Sequence, residues 1–290
     1  MKISVSTYSF GPYRDRGMDF MIYKAAEMGF DGVEYCFERE HTDAELASFR
    51  RAAEAAGLAP VCLDVGADLL SGCGGDLDRE VDRLKREIDR AALLGVPMMR
   101  HDVSAGRDGN GDPVDFDAAL PRLVEGCLRV TEYGETAGVR TLTENHGYYY
   151  QDAARVVRLQ EAARHRNFGA LVDIGNFMCA DENPPEAVAS TAKYAVHVHA
   201  KDFYLTPGDS PAPDGAWFPT RGGDRLMGTV IGQGDAGTDR SLAALAGSGY
   251  EGFVTVEFEG PEDALEGIRL GREYLTNKLE QIRRGGSKKG

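Results

Sequence analysis

Tyr194-Ala195-Val196-His197-Val198-His199-Ala200-Lys201-Asp202 is an apolar run that turns into alternating histidines and stops in charge. The alternation reads as a strand, on which successive side chains point to opposite faces, so His197, His199 and Lys201 share one face. Three other runs end the same way, each on a carboxylate. They are Leu142-Thr143-Glu144, Ala170-Leu171-Val172-Asp173 and Phe253-Val254-Thr255-Val256-Glu257. Carboxylates and a histidine at the ends of successive strands make a divalent-metal site if the fold brings those ends together.

A repeated junction predicts that it does. An amphipathic stretch, a glycine and an apolar run recur at Met28-Gly29-Phe30, Ala56-Gly57-Leu58, Leu94-Gly95-Val96, Ala137-Gly138-Val139 and Ser248-Gly249-Tyr250. Glycine just past a helix supplies the left-handed stop, and the run after it is a strand. Thr42-Asp43-Ala44-Glu45 has the spacing of a capping box. Leu77, Val81, Leu84 and Ile88 fall at helical spacing. The eight strands are expected to start near Ile3, Gly32, Ala59 and Val96, and to end at Glu144, Asp173, His199 and Glu257. Eight strand–helix units with no composition break imply a parallel sheet closed into a single (β/α)8 TIM barrel. The expected domain is residues 1–282, followed by a flexible basic tail at 283–290. No GxGxxG follows the first strand, which leaves a dinucleotide fold without support. The Gly- and Pro-rich segment 203–235 is expected to be irregular, and loops of that length are usually functional or mobile.

Composition limits the partners. The 290 residues hold 47 acidic and 33 basic side chains, a formal net charge of -14. That argues against nucleic acid, whose affinity is mostly phosphate neutralisation. No apolar run approaches the roughly 18 residues of a membrane span, and the start shows no signal peptide. The five cysteines form no CxxC pair and read as reduced thiols, hence a cytoplasmic location.

In a TIM barrel the catalytic groups sit at the C-terminal strand ends. Glu144, Asp173, His199 and Glu257 are therefore expected to be the metal ligands. One nitrogen and three carboxylates suit Mn²⁺ first, with Co²⁺, Mg²⁺ or Zn²⁺ as alternatives. His197, one pleat deeper, reads as a hydrogen-bonded core histidine. Lys201 reads either as half of a surface pair with Asp202 or as a hold on substrate oxygens. His146 is a candidate proton carrier. Glu34, His101, Asn176 and Arg221 are candidate substrate contacts, Arg221 as a clamp from the long loop. The run Tyr148-Tyr149-Tyr150 is expected to pack the barrel mouth.

The motifs Glu144-Asn145-His146-Gly147, Val172-Asp173-Ile174-Gly175-Asn176, His197-Val198-His199-Ala200-Lys201-Asp202 and Val256-Glu257-Phe258-Glu259-Gly260 resemble the xylose-isomerase-like TIM-barrel superfamily. Within it, the sugar phosphate isomerase/epimerase group is the nearest match, over nearly the whole chain. The resemblance implies that Glu144, Asp173, His199 and Glu257 bind one metal, and that Glu144 and Glu257 double as acid/base groups. It also makes a homo-oligomer compatible with the sequence. One departure stands out: Asn176 occupies a position where many members carry a histidine.

The expected function is isomerisation or epimerisation of a keto sugar or related polyol, by proton abstraction beside a metal-bound carbonyl. The alternative is a lyase on the same site, of inosose-dehydratase type or cleaving a 3-keto glycoside or C-glycoside. A non-catalytic sugar-binding barrel is a lesser alternative. An apurinic-site nuclease fits poorly, because such sites use several more histidines and the chain holds only six.

Overall fold

A computed structural model describes residues 1–37, 39–211 and 214–286. Eight parallel strands close into a barrel: β1 (Lys2–Ser6), β2 (Gly32–Cys36), β3 (Ala59–Val65), β4 (Met98–His101), β5 (Arg140–Glu144), β6 (Phe168–Asp173), β7 (Ala195–Ala200) and β11 (Phe253–Val256). β11 closes the ring by pairing with both β7 and β1. Helices α1 (Met18–Glu27), α2 (Asp43–Ala55), α4 (Leu77–Leu94), α5 (Phe116–Ala137), α6 (Ala153–Ala163), α8 (Pro184–Thr191), α9 (Thr238–Gly247) and α10 (Ala264–Gly286) alternate with the strands. α3 (Gly72–Gly75) and α7 (Asn176–Cys179) are single turns. The (β/α)8 expectation is met.

Local chemistry sets the boundaries. All five junction glycines have positive φ, from 72° at Gly138 to 85° at Gly249, where a β-carbon is strained. α2 opens with both halves of its capping box: the Glu45 N–H donates to Thr42 Oγ1 at 3.3 Å, and the Thr42 N–H donates to Glu45 Oε2 at 2.8 Å. On α4, Asp76 accepts the Arg79 N–H, and Leu77, Val81, Leu84 and Ile88 are all buried. Each such side chain contributes about 1.5–3 kcal/mol of burial. Leu84→Ala would forfeit about 2–5 kcal/mol and leave a cavity.

Two apolar clusters divide the interior. The larger joins the strands' outer faces to the helices, and the smaller gathers Val61, Cys62, Leu142 and Leu171. Counting by twos from Leu142, Leu171 and Cys62 reaches Glu144, Asp173 and Asp64, so the smaller cluster underlies a polar layer. Between them runs a buried polar column. Ser4 Oγ lies 2.6 Å from Thr255 Oγ1, which lies 3.0 Å from His197 Nε2, itself 2.6 Å from Glu34 Oε2.

The segment 203–235 differs from expectation. It carries a three-stranded antiparallel sheet of β8 (Asp202–Thr206), β10 (Arg225–Thr229) and β9 (Phe218–Pro219). Its short strands hold Gly, Pro and charge, which hides their period. Asp202 anchors it by accepting the backbone N–H groups of Gly232, Gly234 and Ala236. The last helix also runs on to Gly286, so Arg283 and Arg284 belong to it, while residues 287–290 of the expected tail lie outside the described residues. None of the described helices is long and apolar enough to cross a membrane.

Candidate metal centre

Parallel strands bring their C-terminal ends to one mouth of the barrel, and there Glu144, Asp173, His199 and Glu257 converge. One ligand atom from each lies within 4.8 Å of every other. His199 Nδ1 is 3.3 Å from Glu257 Oε2 and 3.8 Å from both Glu144 Oε1 and Asp173 Oδ2. β5, β6, β7 and β11 are neighbours in that order, so the two glutamates flank Asp173 and His199.

The set fits a divalent ion. Asp173 Oδ2 and His199 Nδ1 are buried without a hydrogen-bond partner. Burial, with Glu257 and Glu144 close by, pushes the Asp173 carboxyl up to about 7 even against the opposing Lys201 ammonium. Crowded, desolvated carboxylates facing one imidazole nitrogen are what a hard or borderline cation relieves. The donor set does not choose among the candidate metals.

The surrounding groups hold these side chains in place. Glu34 lies 2.9 Å from His199 Nε2 and 2.6 Å from His197 Nε2. Burial would raise the Glu34 carboxyl, but the two imidazoles outweigh it and hold it below its ordinary value. Asn145 stitches β5 to β6, accepting the Asp173 N–H at 2.8 Å and donating to its carbonyl at 2.9 Å. Asn176 donates to Glu144 Oε1 at 2.9 Å, and its backbone N–H donates to Asp173 Oδ1. A β-carbon on Gly175 would come within 2.8 Å of the Lys201 carbonyl, so only glycine lets the two strand ends approach.

Cations balance two of the acids. Lys201 Nζ stands 2.6 Å from Glu257 Oε2 and 3.5 Å from Asp173 Oδ2. The Arg100 guanidinium contacts Glu144 Oε2 and lies 2.9 Å from Asp102 Oδ1. Burial works against the Glu257 charge, yet Lys201 and His199 keep that carboxyl well below its ordinary value. His146, half-exposed, places Nδ1 2.8 Å from Asp102 Oδ1. Burial lowers its pKa, but the bond to Asp102 wins and raises it above an ordinary histidine.

Several expectations need correction. Glu34 is fully buried, and its carboxylate is taken up by His197 and His199 instead of facing the barrel mouth. His101 points the other way from Arg100 on β4, toward the helices, with Nδ1 2.7 Å from the Asp102 carbonyl. Lys201 and Asp202 are both buried and form no surface pair. Arg221 is engaged by Asp152 Oδ2 at 3.0 Å and by the Tyr148 carbonyl, which braces the β9–β10 turn against the segment after β5. Asn176 sits beside Glu144 and Lys201, within the ligand layer. His197 occupies the core position expected of it. Tyr150 is fully buried, and Tyr149 packs its ring edge-on against Phe116. Arg100, Asp64 and Asp102 were not among the candidates. Strand parity finds the first two: Asp64 and Arg100 pair in register and lie on the inner face.

A family model described as the xylose isomerase-like TIM barrel matches residues 22–278. The chain belongs to that family. Solved xylose isomerase-like barrels and their relatives share its fold at low identity. A xylose isomerase-like TIM barrel protein from Mycobacterium smegmatis, in complex with magnesium, is 17% identical with a TM-score of 0.72, over 97% of each chain. D-psicose 3-epimerase from Clostridium cellulolyticum H10 is 18% identical with a TM-score of 0.71, over 98% of this chain and 99% of its own. The probable 3-DHS dehydratase of petrobactin synthesis from Bacillus anthracis is 17% identical with a TM-score of 0.71, over 95% and 99%. No curated protein matches the sequence significantly.

Proposed function

We propose that this xylose isomerase-like barrel is a divalent-metal-dependent enzyme that removes the proton beside the carbonyl of a keto sugar or related polyol, giving an isomer or epimer. The observation that carries the reading is the convergence of three carboxylates and one imidazole nitrogen at the barrel mouth. Glu144, Asp173, His199 and Glu257 would hold the ion, Mn²⁺ by first expectation, and it would supply Lewis acidity to a carbonyl and neighbouring hydroxyl. Glu34 keeps His199 turned so that Nδ1 faces the carboxylates. Glu257 and Glu144, on either flank of Asp173 and His199, are disposed to take a proton from one face of a substrate carbon and return it to the other. The fold relation to sugar epimerases supports a small carbohydrate as substrate.

A second reading is favoured by one observation. His146 is half-exposed and oriented by Asp102, and its other ring nitrogen meets no hydrogen-bond partner among the described residues. Such a group suits protonation of a leaving oxygen or carbon, which makes the same proton abstraction an elimination. Proton NMR in D₂O of the Mn²⁺-reconstituted, then Mg²⁺-exchanged protein tests both. The panel is ketoses, inososes and 3-keto glycosides. Deuterium beside the carbonyl of a sugar isomer supports the isomerase. Deuterium with loss of water or aglycone supports the lyase. No exchange with any compound, despite tight sugar binding, overturns both in favour of a binding barrel.

A further inference from the structure

A cavity of about 520 Å³ is distinct from the ligand cluster but adjoins it. It opens between the 3-10 segment Thr7–Arg16 and the connection from β2 to α2. Thr7 and Cys36 line its inner end, where the Cys36 N–H donates to Thr7 Oγ1 at 2.8 Å. Cys36 is two residues beyond Glu34 on the same strand and pairs in register with Asp64. The cavity therefore begins at the barrel's inner rim, beside the metal centre.

One part of its wall is aromatic. The rings of Phe37 and His41 lie 4.6 Å apart, His41 and Phe49 5.1 Å, and Phe37 and Phe49 6.0 Å. Met18 and Met21 add soft apolar surface. The arginines lining it are engaged. Arg39 pairs with Glu45 at 2.9 Å, Arg16 lies 4.4 Å from the Phe20 ring centroid, and Arg14 lies 5.8 Å from that of Tyr8. Asp15 and Asp19 offset their charge. The cavity thus combines a three-ring cluster with three cations and three carboxylates that balance one another, and it lies outside the space enclosed by the four strand-end ligands.

We propose that this cavity is the subsite for an aromatic ring carried by the substrate, so that the protein acts on an aryl-substituted sugar whose sugar part sits at the metal centre. The assignment rests on the carbohydrate reading above. Three rings within stacking distance of one another give an entering ring edge and face contacts beyond simple burial. Aromatic-lined concavities of this size are typical of small-molecule sites.

Calorimetric titration of the Mn²⁺-loaded protein with phenyl and methyl β-D-glucopyranoside tests it. Neither probe has the carbonyl that the proposed reaction needs, so neither is consumed. The phenyl glycoside is expected to bind about tenfold or more tightly than the methyl glycoside. In Phe49→Ala that margin should shrink to about threefold or less, with Mn²⁺ affinity unchanged. Phe49→Leu, which keeps apolar volume, should fall between the two and controls for folding. Equal affinities in the wild type, no binding of either probe, or an intact margin in Phe49→Ala overturns the proposal. A ring preference without any deuterium exchange leaves the subsite standing and fails the proton-abstraction reading. Exchange on simple ketoses with no ring preference does the reverse.

Discussion

Glu34 Oε1 lies 2.9 Å from His199 Nε2, on the side of the imidazole away from Glu144, Asp173 and Glu257. A carboxylate behind a ligating histidine fixes its tautomer and raises its basicity. Glu34→Gln keeps the volume and removes the charge, so metal affinity should fall about 10- to 100-fold. Titration with Mn²⁺ reads the change, and unaltered affinity would remove Glu34 from that role.

Glu257→Gln keeps the shape of a ligand while removing its charge and its ability to exchange a proton. Turnover should drop by about 10²-fold or more, with the circular-dichroism spectrum unchanged. Near-normal activity would sink the acid/base assignment.

His146→Asn tests the dyad with Asp102. Under the elimination reading, turnover falls by about 10²-fold while metal content, measured by elemental analysis, stays at the wild-type level. Retained turnover would leave His146 as a rim residue. Asp102→Asn should also lower turnover, since Asp102 both orients the ring and holds Arg100 at Glu144.

How much of this was legible follows from what each residue depends on. Barrel closure and the convergence of Glu144, Asp173, His199 and Glu257 could be read because the glycine stops and the carboxylate strand ends are local patterns. Arg100 was overlooked in favour of His101 because a strand end alone does not say which face points inward. Parity with Met98, fixed only by the register, settles it. Glu34 looked like a substrate contact because its depth depends on histidines 163 and 165 residues away in sequence. Arg221 lies in a strand pair whose period is broken by glycine and proline, and its partner Asp152 is 69 residues distant.

Stability should respond to acid through Glu80. This buried carboxylate accepts the Asp68 N–H at 3.1 Å and is held by Arg83. Burial would raise its pKa, but those bonds outweigh it and keep the carboxyl below its ordinary value. A depressed carboxyl adds stability that is complete above the unfolded pKa and is lost as pH falls through the folded one. Glu80→Gln should lower the melting temperature by about 2–4 °C at pH 7. The gap between variant and wild type should begin to narrow below about pH 4 and close only below the depressed folded-state value. A gap independent of pH would mean that packing, not charge, is what the side chain contributes.

Removing Asp202 tests the root of the three-stranded sheet. Asp202→Ala removes the carboxylate that accepts the backbone N–H groups of Phe203, Gly232, Gly234 and Ala236, at a cost of about 1–3 kcal/mol for each left buried and unpaired. Proteolysis should move to residues 203–235 before the barrel is cut.

The cations beside the ligand set have a consequence for how the protein matures. Arg100 at Glu144 and Lys201 at Glu257 leave no pair of facing carboxylates wholly uncompensated. The barrel can therefore reach its final shape before an ion arrives, unlike small metalloproteins that fold only around their metal. If the proposed ion binds, its loading would then be a late and reversible event. The identity of that ion would be set by the metals in supply and their order of affinity, not by the folding pathway.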